Sequence, residues 1–228
     1  MDKTRGKILF LPVLFILLFL PAGPAKAQTA PDSPAMPTAW PDLKSRDKQF
    51  LLMIAREALT AALENRPSRE ARVDNRLQTP QPVVLSIYVD GQLRARAWRI
   101  KNIQPVYLAA RDLVQEALAN PKVSDQPLSQ EEISRAKISL AVLGHYARAT
   151  DDTEVPPRSA VIIYNGFKEW LALPGDVPGG SAADILSFAC GQAGLRPQVW
   201  LLPSTTIFHA PAQEMKEAGA EARPSPAP

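Results

Sequence analysis

A short turn between two β-branched segments is the feature that most constrains the fold of this chain. Asp90-Gly91 separates Val83–Val89 from residues 92–100, and both flanking segments have strand-like composition. A two-residue turn of this kind requires positive φ angles, which Asp and Gly tolerate, and it joins antiparallel strands. Asn165-Gly166 repeats the pattern between two further strand-like segments. The sequence therefore predicts an antiparallel sheet built from hairpins.

Helical patterns lie between and around these hairpins. Apolar residues recur at the spacing of one helical face over residues 46–65 and again over residues 106–117. Ser45 is placed to cap the first of these helices, and Ser181 with Asp184 opens a third, which ends near Gly194. Mixed helices and hairpins predict an α+β protein, an antiparallel sheet with about three packed helices.

Composition divides the chain into segments. Residues 28–42 are rich in proline and lack apolar periodicity, so we expect an extended leader. Residues 216–228 combine charge, glycine and proline, which predicts a disordered tail. Between them, residues 43–215 alternate helix and strand patterns without a long low-complexity break, which predicts a single folded domain.

Residues 1–27 have the three parts of a secretory signal peptide. Lys3, Arg5 and Lys7 precede thirteen residues, 8–20, that would span only about 20 Å as a helix, less than the roughly 30 Å core of a bilayer. Ala25-Lys26-Ala27 supplies the small residues that signal peptidase requires. We expect cleavage after Ala27 rather than retention as an anchor. The mature protein would then be periplasmic or secreted, and would meet the membrane only through the signal peptide.

Charge and cysteine content narrow the classes of function. Of the 26 Lys and Arg and 23 Asp and Glu residues, four basic and one acidic lie in residues 1–27, so the remainder carries 22 of each sign. A neutral chain lacks the basic surface that nucleic acid binding needs, so nucleic acid is not an expected partner. Cys190 stands alone, and the pattern of its helix predicts a buried, inert thiol. His145 and His209 have no metal-ligand spacing around them, and we expect no metal or other cofactor.

Several segments, taken in order, resemble the AMMECR domain, a family named for the chromosomal region of the AMME syndrome. The C-terminal part is the most specific: its matching residues follow the family's F-x-x-x-C-x-K-A-G-L-x-P-x-x-W pattern, with one spacing difference before the cysteine. They are Phe188, Cys190, Ala193-Gly194-Leu195, Pro197 and Trp200. Leu173-Pro174 resembles the family's L-L-P-Q-V, residues 138–143 resemble I-x-I-S-V-L, and Phe208 with Glu214 resembles the closing F-x-x-x-x-F-x-E. The resemblance covers about residues 49–215.

The chain departs from this family at the hallmark L-R-G-C-I-G segment. Residues 93–98 read Leu-Arg-Ala-Arg-Ala-Trp here, so Arg96 stands where the family has its cysteine. The family's D-P-R-F segment is also altered, to Asn120-Pro121-Lys122-Val123. A guanidinium is permanently charged and cannot act as a nucleophilic or redox thiol. If the family is enzymatic, the resemblance implies that this member is a pseudoenzyme.

The substitution draws attention to three residues of the second hairpin strand. An uninterrupted two-residue turn sets Ile87 opposite Arg94 and places Arg94, Arg96 and Trp98 on one face. Two like charges on one face call for an anion, and we predict that these three residues bind a ligand. In the alternative interpretation, both arginines reach solvent or pair with acidic residues such as Asp112 or Glu116. The like-charge argument also predicts that Arg96→Ala would keep or slightly raise stability.

Two classes of function follow. The first is a non-catalytic binding module of the cell envelope, whose partner is an unidentified small anionic ligand or an envelope protein. The second is an enzyme whose acid/base site has moved, with Glu169 or Glu214 near Arg94. No paired acid/base constellation in the sequence favours the second.

Overall fold

In the part of the chain that the structure describes, an antiparallel sheet of seven strands is accompanied by four α-helices. The structure is a computed structural model that describes residues 42–70, 72–120, 123, 126–166 and 168–220. These residues belong to a single compact unit, Met36–Pro228. The predicted signal peptide, residues 1–27, and all of the predicted leader except Asp42 lie outside the described residues. The α+β class predicted from the sequence is confirmed.

The elements follow the order that the sequence patterns indicate, with additions. The helices are α1 (Ser45–Leu63), α2 (Val106–Ala119), α3 (Gln130–Arg135) and α4 (Ala182–Gln192). The strands are β1 (Val83–Val89), β2 (Gln92–Arg99), β3 (Lys137–Leu143), β4 (Ala147–Ala149), β5 (Ser159–Asn165), β6 (Lys168–Ala172) and β7 (Thr205–Lys216). Within the described ranges, none of the helices has the length and apolar character needed to cross a bilayer.

The strand order is β2-β1-β3-β7-β5-β6, and β4 pairs with β7 beside this path. The long strand β7 connects the two hairpins, because its C-terminal half pairs with β3 and its N-terminal half pairs with β5. The strands β2 and β6 are therefore the two edges of the sheet, each hydrogen-bonded along one side only. This arrangement matters because the predicted site residues lie on β2.

The sheet separates two apolar clusters. The first, which we call the α1–α2 core, contains Leu51 and Leu113 from the helices with Leu85 and Leu140 from the sheet. The second, the α4 core, gathers side chains from the other face of β1, β2 and β3 and from β5, β6 and α4. Its members include Val84, Trp98, Ala141, Trp170, Leu186 and Cys190. All seven residues of β1 are buried because this strand has a core on each face.

The first hairpin turn is as predicted, but the register beyond it is not. Asp90 and Gly91 have φ angles of 53° and 81°, so the two-residue turn is present. The second strand then contains a β-bulge. Tyr88 of the first strand faces Leu93, but its neighbour Ile87 faces Ala95, so one residue of the second strand has no partner. Arg94 is the extra residue of this bulge. The prediction that Ile87 lies opposite Arg94 is wrong, because the bulge shifts every later pair by one residue.

The N-terminal caps of three helices can be compared with the capping residues that the sequence predicts. Ser129 and Ser181 cap α3 and α4, and each forms a capping box with the acidic residue three positions later. The helix α1 differs from the prediction, since its N-cap is Lys44 and Ser45 is the first helical residue. The backbone N–H of Lys44 donates to Asp47 Oδ2 at 3.1 Å. Asp47, at the third helical position, thus binds the N–H of the N-cap residue, and no hydrogen bond from a side chain at the N-cap position replaces the one expected of Ser45.

The C-terminal part of the chain is more ordered than its composition indicates. The strand β7 continues to Lys216, and Glu217 forms an ion pair with Arg56 of α1 while accepting a hydrogen bond from the Ile138 N–H at 2.9 Å. Ala220 is buried. Residues 216–220 of the predicted disordered tail are therefore part of the fold, and residues 221–228 lie outside the described residues.

Candidate functional site

A buried polar group lies beneath the end of the sheet where β2, β1 and the segment after β6 meet. We call it the Arg96 cluster and define it by Ser86, Tyr88, Arg96 and Asp176. Ser86 and Arg96 face each other across β1 and β2, and Asp176 ends a short 3₁₀ turn, Pro174–Asp176, that follows β6. The cluster includes the position at which the resembling family has its cysteine.

The guanidinium of Arg96 makes hydrogen bonds through all three of its nitrogens. Two donate to the Asp176 carboxylate, at 2.7 Å from Nη1 to Oδ2 and 2.6 Å from Nη2 to Oδ1. Nε donates to Ser86 Oγ at 2.9 Å, and Nη1 also donates to the Leu171 carbonyl at 3.2 Å. The Arg96 side chain is 0% exposed and that of Asp176 is 2% exposed. This is a two-point, charge-assisted ion pair from which solvent is excluded.

Contacts that do not involve Arg96 also fix the position of Asp176. Its Oδ2 accepts a hydrogen bond from the Leu173 N–H at 2.7 Å, which closes the 3₁₀ turn. Gly175, in the middle of the turn, passes so close to β7 that a Cβ there would overlap the side chains of Glu214 and Lys216. Its N–H donates to Glu214 Oε1 at 2.9 Å. The turn thus places the carboxylate at one position against the sheet.

The electrostatics keep Arg96 charged and Tyr88 protonated. Burial lowers the pKa of Arg96, but the charge and hydrogen bonds of Asp176 outweigh this effect and leave the pKa above its ordinary value. Burial, and then the Asp176 charge, raise the pKa of Tyr88 well above its ordinary value. The Tyr88 hydroxyl donates to Asp176 Oδ1 at 3.3 Å. A tyrosine held neutral in this way is a structural donor rather than a general base at neutral pH.

Trp98 lies two residues further along β2 on the same side of the sheet. Its indole N–H donates to Glu169 Oε1 at 2.6 Å, and its ring meets that of Trp170 edge to face, with centroids 5.3 Å apart. Both contacts are to β6. Arg96 also reaches the Leu171 carbonyl of β6. The two side chains therefore connect β2 and β6, the two sheet edges, which are not paired with each other in the described strands. We call this side-chain connection between β2 and β6 the seam.

Arg94 lies apart from the other two predicted site residues. Its side chain, 24% exposed, forms an ion pair with Glu132 of α3 at 2.8 Å, whereas Arg96 points to the turn after β6. The prediction that all three side chains share one face is wrong, and the physical reason is the bulge at Arg94. Asp112 and Glu116, the acidic partners considered for these arginines, pair instead with Arg99. The ligand-binding role of Arg94, Arg96 and Trp98 stays a prediction.

The two carboxylates considered for a relocated acid/base site are both engaged in structural contacts. Glu169 accepts from the Trp98 indole, and Glu214 accepts from the Gly175 N–H and pairs with Lys216 at 3.2 Å. Glu214 lies close enough to Arg96 to affect its pKa. Glu214 was expected near Arg94, but the charge that it is observed to affect is that of Arg96.

Asp176 and Tyr88 are members of the cluster that sequence reasoning missed. The available signal for Asp176 was its position directly after Leu173-Pro174, in the segment that resembles L-L-P-Q-V. Ser139 lies next to Ser86 on β3, and its buried Oγ has no hydrogen-bond partner among the described residues. Within the same residues, no group of three or more His, Cys, Asp or Glu side chains is placed to hold a metal ion.

Comparison with known proteins places the fold among archaeal relatives. No family model matches the chain. Protein MK0488 of Methanopyrus kandleri is 28% identical over 191 residues, which cover 77% of this chain and 90% of that protein. The crystal structure of uncharacterized protein PH0010 from Pyrococcus horikoshii superposes with a TM-score of 0.64 at 21% identity, covering 77% of this chain and 93% of that one. The chain thus has weak homology to archaeal proteins, and it shares the fold of PH0010.

Proposed function

We propose that this chain is an exported, divergent AMMECR-like domain that acts as a non-catalytic binding module of the cell envelope. The observation that carries the proposal is the state of position 96. Where the resembling family has a cysteine, this chain has a guanidinium that is 0% exposed and bonded on every nitrogen to internal acceptors. A substrate has no access to that position.

The partner of Arg96 supports the proposal independently. Asp176 comes from the segment that resembles the family's L-L-P-Q-V, so two segments with family resemblance meet through one ion pair. A buried arginine without its carboxylate would be strongly destabilising. The charge at position 96 is therefore compensated by a second charge. The pair is a buried structural contact next to the seam and exposes no reactive group.

The protonation and hydrogen bonding of the candidate catalytic groups also support a non-catalytic role. Tyr88 is held protonated, and Glu169 and Glu214 are both occupied by hydrogen bonds within the domain. Burial raises the pKa of the Cys190 thiol, which disfavours the thiolate. Tyr88 and Cys190 are thus held in their protonated forms, and Glu169 and Glu214 already accept hydrogen bonds, which disfavours all four as bases or nucleophiles.

Export is the part of the proposal that rests on the sequence of residues 1–27. It is tested by producing the full chain in a bacterial host, separating the cytoplasmic, periplasmic and secreted fractions, and sequencing the N-terminus of the recovered protein. A start at Gln28 in an exported fraction supports the proposal. A start at Met1 or Asp2 in the cytoplasm contradicts it.

Binding without turnover is tested by native purification from the envelope fraction followed by mass spectrometry of retained small molecules and proteins. Arg94 is the predicted ligand-binding residue whose side chain reaches the surface, so Arg94→Ala is the informative variant. Arg148→Ala, at an exposed arginine of β4, is the matched control. We expect a reproducible retained partner that Arg94→Ala reduces and Arg148→Ala does not. Conversion of the retained compound to a product by the purified chain would contradict the proposal.

A further inference from the structure

A concave site of about 350 Å³ lies beside α1, on the far side of the α1–α2 core from the Arg96 cluster. Its walls come from α1, from the segment between α1 and β1, and from α2. The residues used below are Phe50, Met53, Ile54, Arg69, Arg72 and Arg111. Its volume is within the range of small-ligand pockets, roughly 300–1,000 Å³.

The floor of this concavity is an apolar stripe on α1. Phe50, Met53 and Ile54 are spaced i, i+3 and i+4, so they share one helical face next to the face that packs into the core. Met53 is 54% exposed, one of few large apolar side chains exposed in the described ranges. An apolar stripe that continues out of the core into a concave surface is a typical binding feature.

The rim is basic, and its charges are incompletely neutralised. Glu57 also lines the concavity, but Arg66 donates to its Oε1 at 2.6 Å, so that carboxylate already has a partner. Among the residues that the structure describes, the guanidinium groups of Arg69 and Arg72 form no ion pair within 4.0 Å, although the Arg69 backbone N–H donates to Glu57 Oε1 at 3.4 Å and the Arg69 charge helps to lower the pKa of that carboxyl. Arg111 pairs with its neighbour Asp112 at 2.9 Å. The lining thus contains three arginines and two carboxylates, Glu57 and Glu70. Because the positive charges outnumber the negative ones, the rim favours a negatively charged group.

We infer that this concavity binds an amphipathic anion: a molecule with a single apolar chain, seated along Phe50, Met53 and Ile54, and an anionic head at Arg69 and Arg72. A carboxylate and a phosphate monoester have the same relevant chemistry here, since arginine can bind either by two parallel hydrogen bonds. This inference rests on the proposed binding role and adds to it a ligand class and a second site, which Arg94 does not line.

Calorimetric titration of the mature chain tests the inference with three probes: dodecanoate and monododecyl phosphate, each below its critical micelle concentration, and dodecanol, below its solubility limit in water. The first two share the apolar chain and differ in head group, and the third lacks the charge. We expect one-to-one binding of at least one anion, at least tenfold tighter than dodecanol. Arg69→Ala/Arg72→Ala should weaken that binding by about tenfold or more, because charge-assisted hydrogen bonds are lost. Arg148→Ala, which removes an exposed arginine elsewhere, should leave it unchanged.

Met53→Gln is a second variant, because it places an uncharged polar side chain of similar size on the apolar floor at an exposed position where folding should be unaffected. It should weaken binding of the anion that the wild type prefers. Equal affinity for dodecanol and the anions, unchanged affinity in the double arginine variant, or absence of binding would each overturn the inference. None of these results would affect the proposed function, whose own test is the partner retained from the envelope fraction.

Discussion

At the scale of single residues, Arg96 has its charge and hydrogen bonds satisfied from within the protein. Its acceptors are Ser86, Leu171 and Asp176, which come from β1, β6 and the turn after β6. Removing the guanidinium would leave the Asp176 carboxylate buried with no counter-charge, at a cost of several kcal/mol. The expectation that Arg96→Ala would keep or raise stability rested on repulsion from Arg94. The structure changes that expectation, because Arg94 pairs with Glu132 and points elsewhere.

Cys190 is fully buried in the α4 core, and burial raises the pKa of its thiol. We therefore expect no reaction with a thiol reagent such as 5,5′-dithiobis(2-nitrobenzoate) in the native protein at pH 8. The same reagent should modify one thiol per chain in denaturant, which is the positive control. Rapid stoichiometric labelling of the native protein would show that the thiol is accessible and reactive.

Tyr88 predicts how stability responds to alkaline pH. Because its pKa is raised in the folded state, the native protein keeps the proton where the unfolded chain, with a tyrosine pKa near roughly 10, releases it. The native state then binds more protons, so the free energy of unfolding should fall as the pH rises above about 10. Tyr88→Phe should be somewhat less stable at pH 8, having lost the hydrogen bond to Asp176, but should lose less stability between pH 8 and 11.

Denaturant unfolding of both proteins at the two pH values measures this difference. Tyr164 also has a raised pKa, so some alkaline loss should remain in the variant. Equal losses in Tyr88→Phe and the wild type would mean that Tyr88 does not titrate differently in the folded and unfolded states.

At the scale of elements, the β1–β2 hairpin depends on the backbone conformation of its turn. Gly91 has a φ of 81°, where a β-branched residue is strained. Gly91→Val should lower the free energy of unfolding by about 1–3 kcal/mol. Gly191→Ala is a matched control within α4: its Cβ would meet nothing within 4 Å, and it should raise stability by roughly 0.5–1 kcal/mol. Unchanged stability of Gly91→Val in denaturant unfolding would count against the turn.

The same hairpin shows how far local sequence patterns can predict a fold. The turn was predictable because Asp-Gly has a specific backbone preference. The bulge was not, since its extra residue is Arg94 and not a glycine that would mark it. The strand β7 was missed for a different reason: its twelve residues include Pro211 and charged positions, and their pairing is with β3 and β5, which are distant in sequence.

The candidate site was predictable in the same uneven way. Arg96 and Trp98 were found because they alternate along one strand and depart from a family pattern. Their partners, Asp176 and Glu169, lie at least 70 residues away in the chain and meet them only when the two edges of the sheet approach. Long-range pairing of this kind is determined by topology, which a local pattern does not contain.

At the scale of the whole domain, the described chain contains a sheet whose edges approach without pairing. Edge strands normally leave backbone groups open to association with other chains. Here Arg96 and Trp98 extend from β2 to β6, and their contacts, which form the seam, lie beside the α4 core. Arg96, at the position where the resembling family has a cysteine, therefore has an architectural role: it helps to hold the two hairpins of the sheet together.

A double-mutant cycle on Arg96 and Asp176, measured by denaturant unfolding, tests this role most directly. Arg96→Met alone should cost about 3–5 kcal/mol, because it leaves a buried carboxylate unpaired. Asp176→Asn keeps an acceptor for the Leu173 N–H but removes the charge that Arg96 needs, so it should also be strongly destabilising. The double variant should be clearly more stable than the sum of the two losses implies, with a coupling energy of at least about 2 kcal/mol. Single losses below about 0.5 kcal/mol that add without coupling would contradict the account, since Arg96 would then not be a buried structural charge.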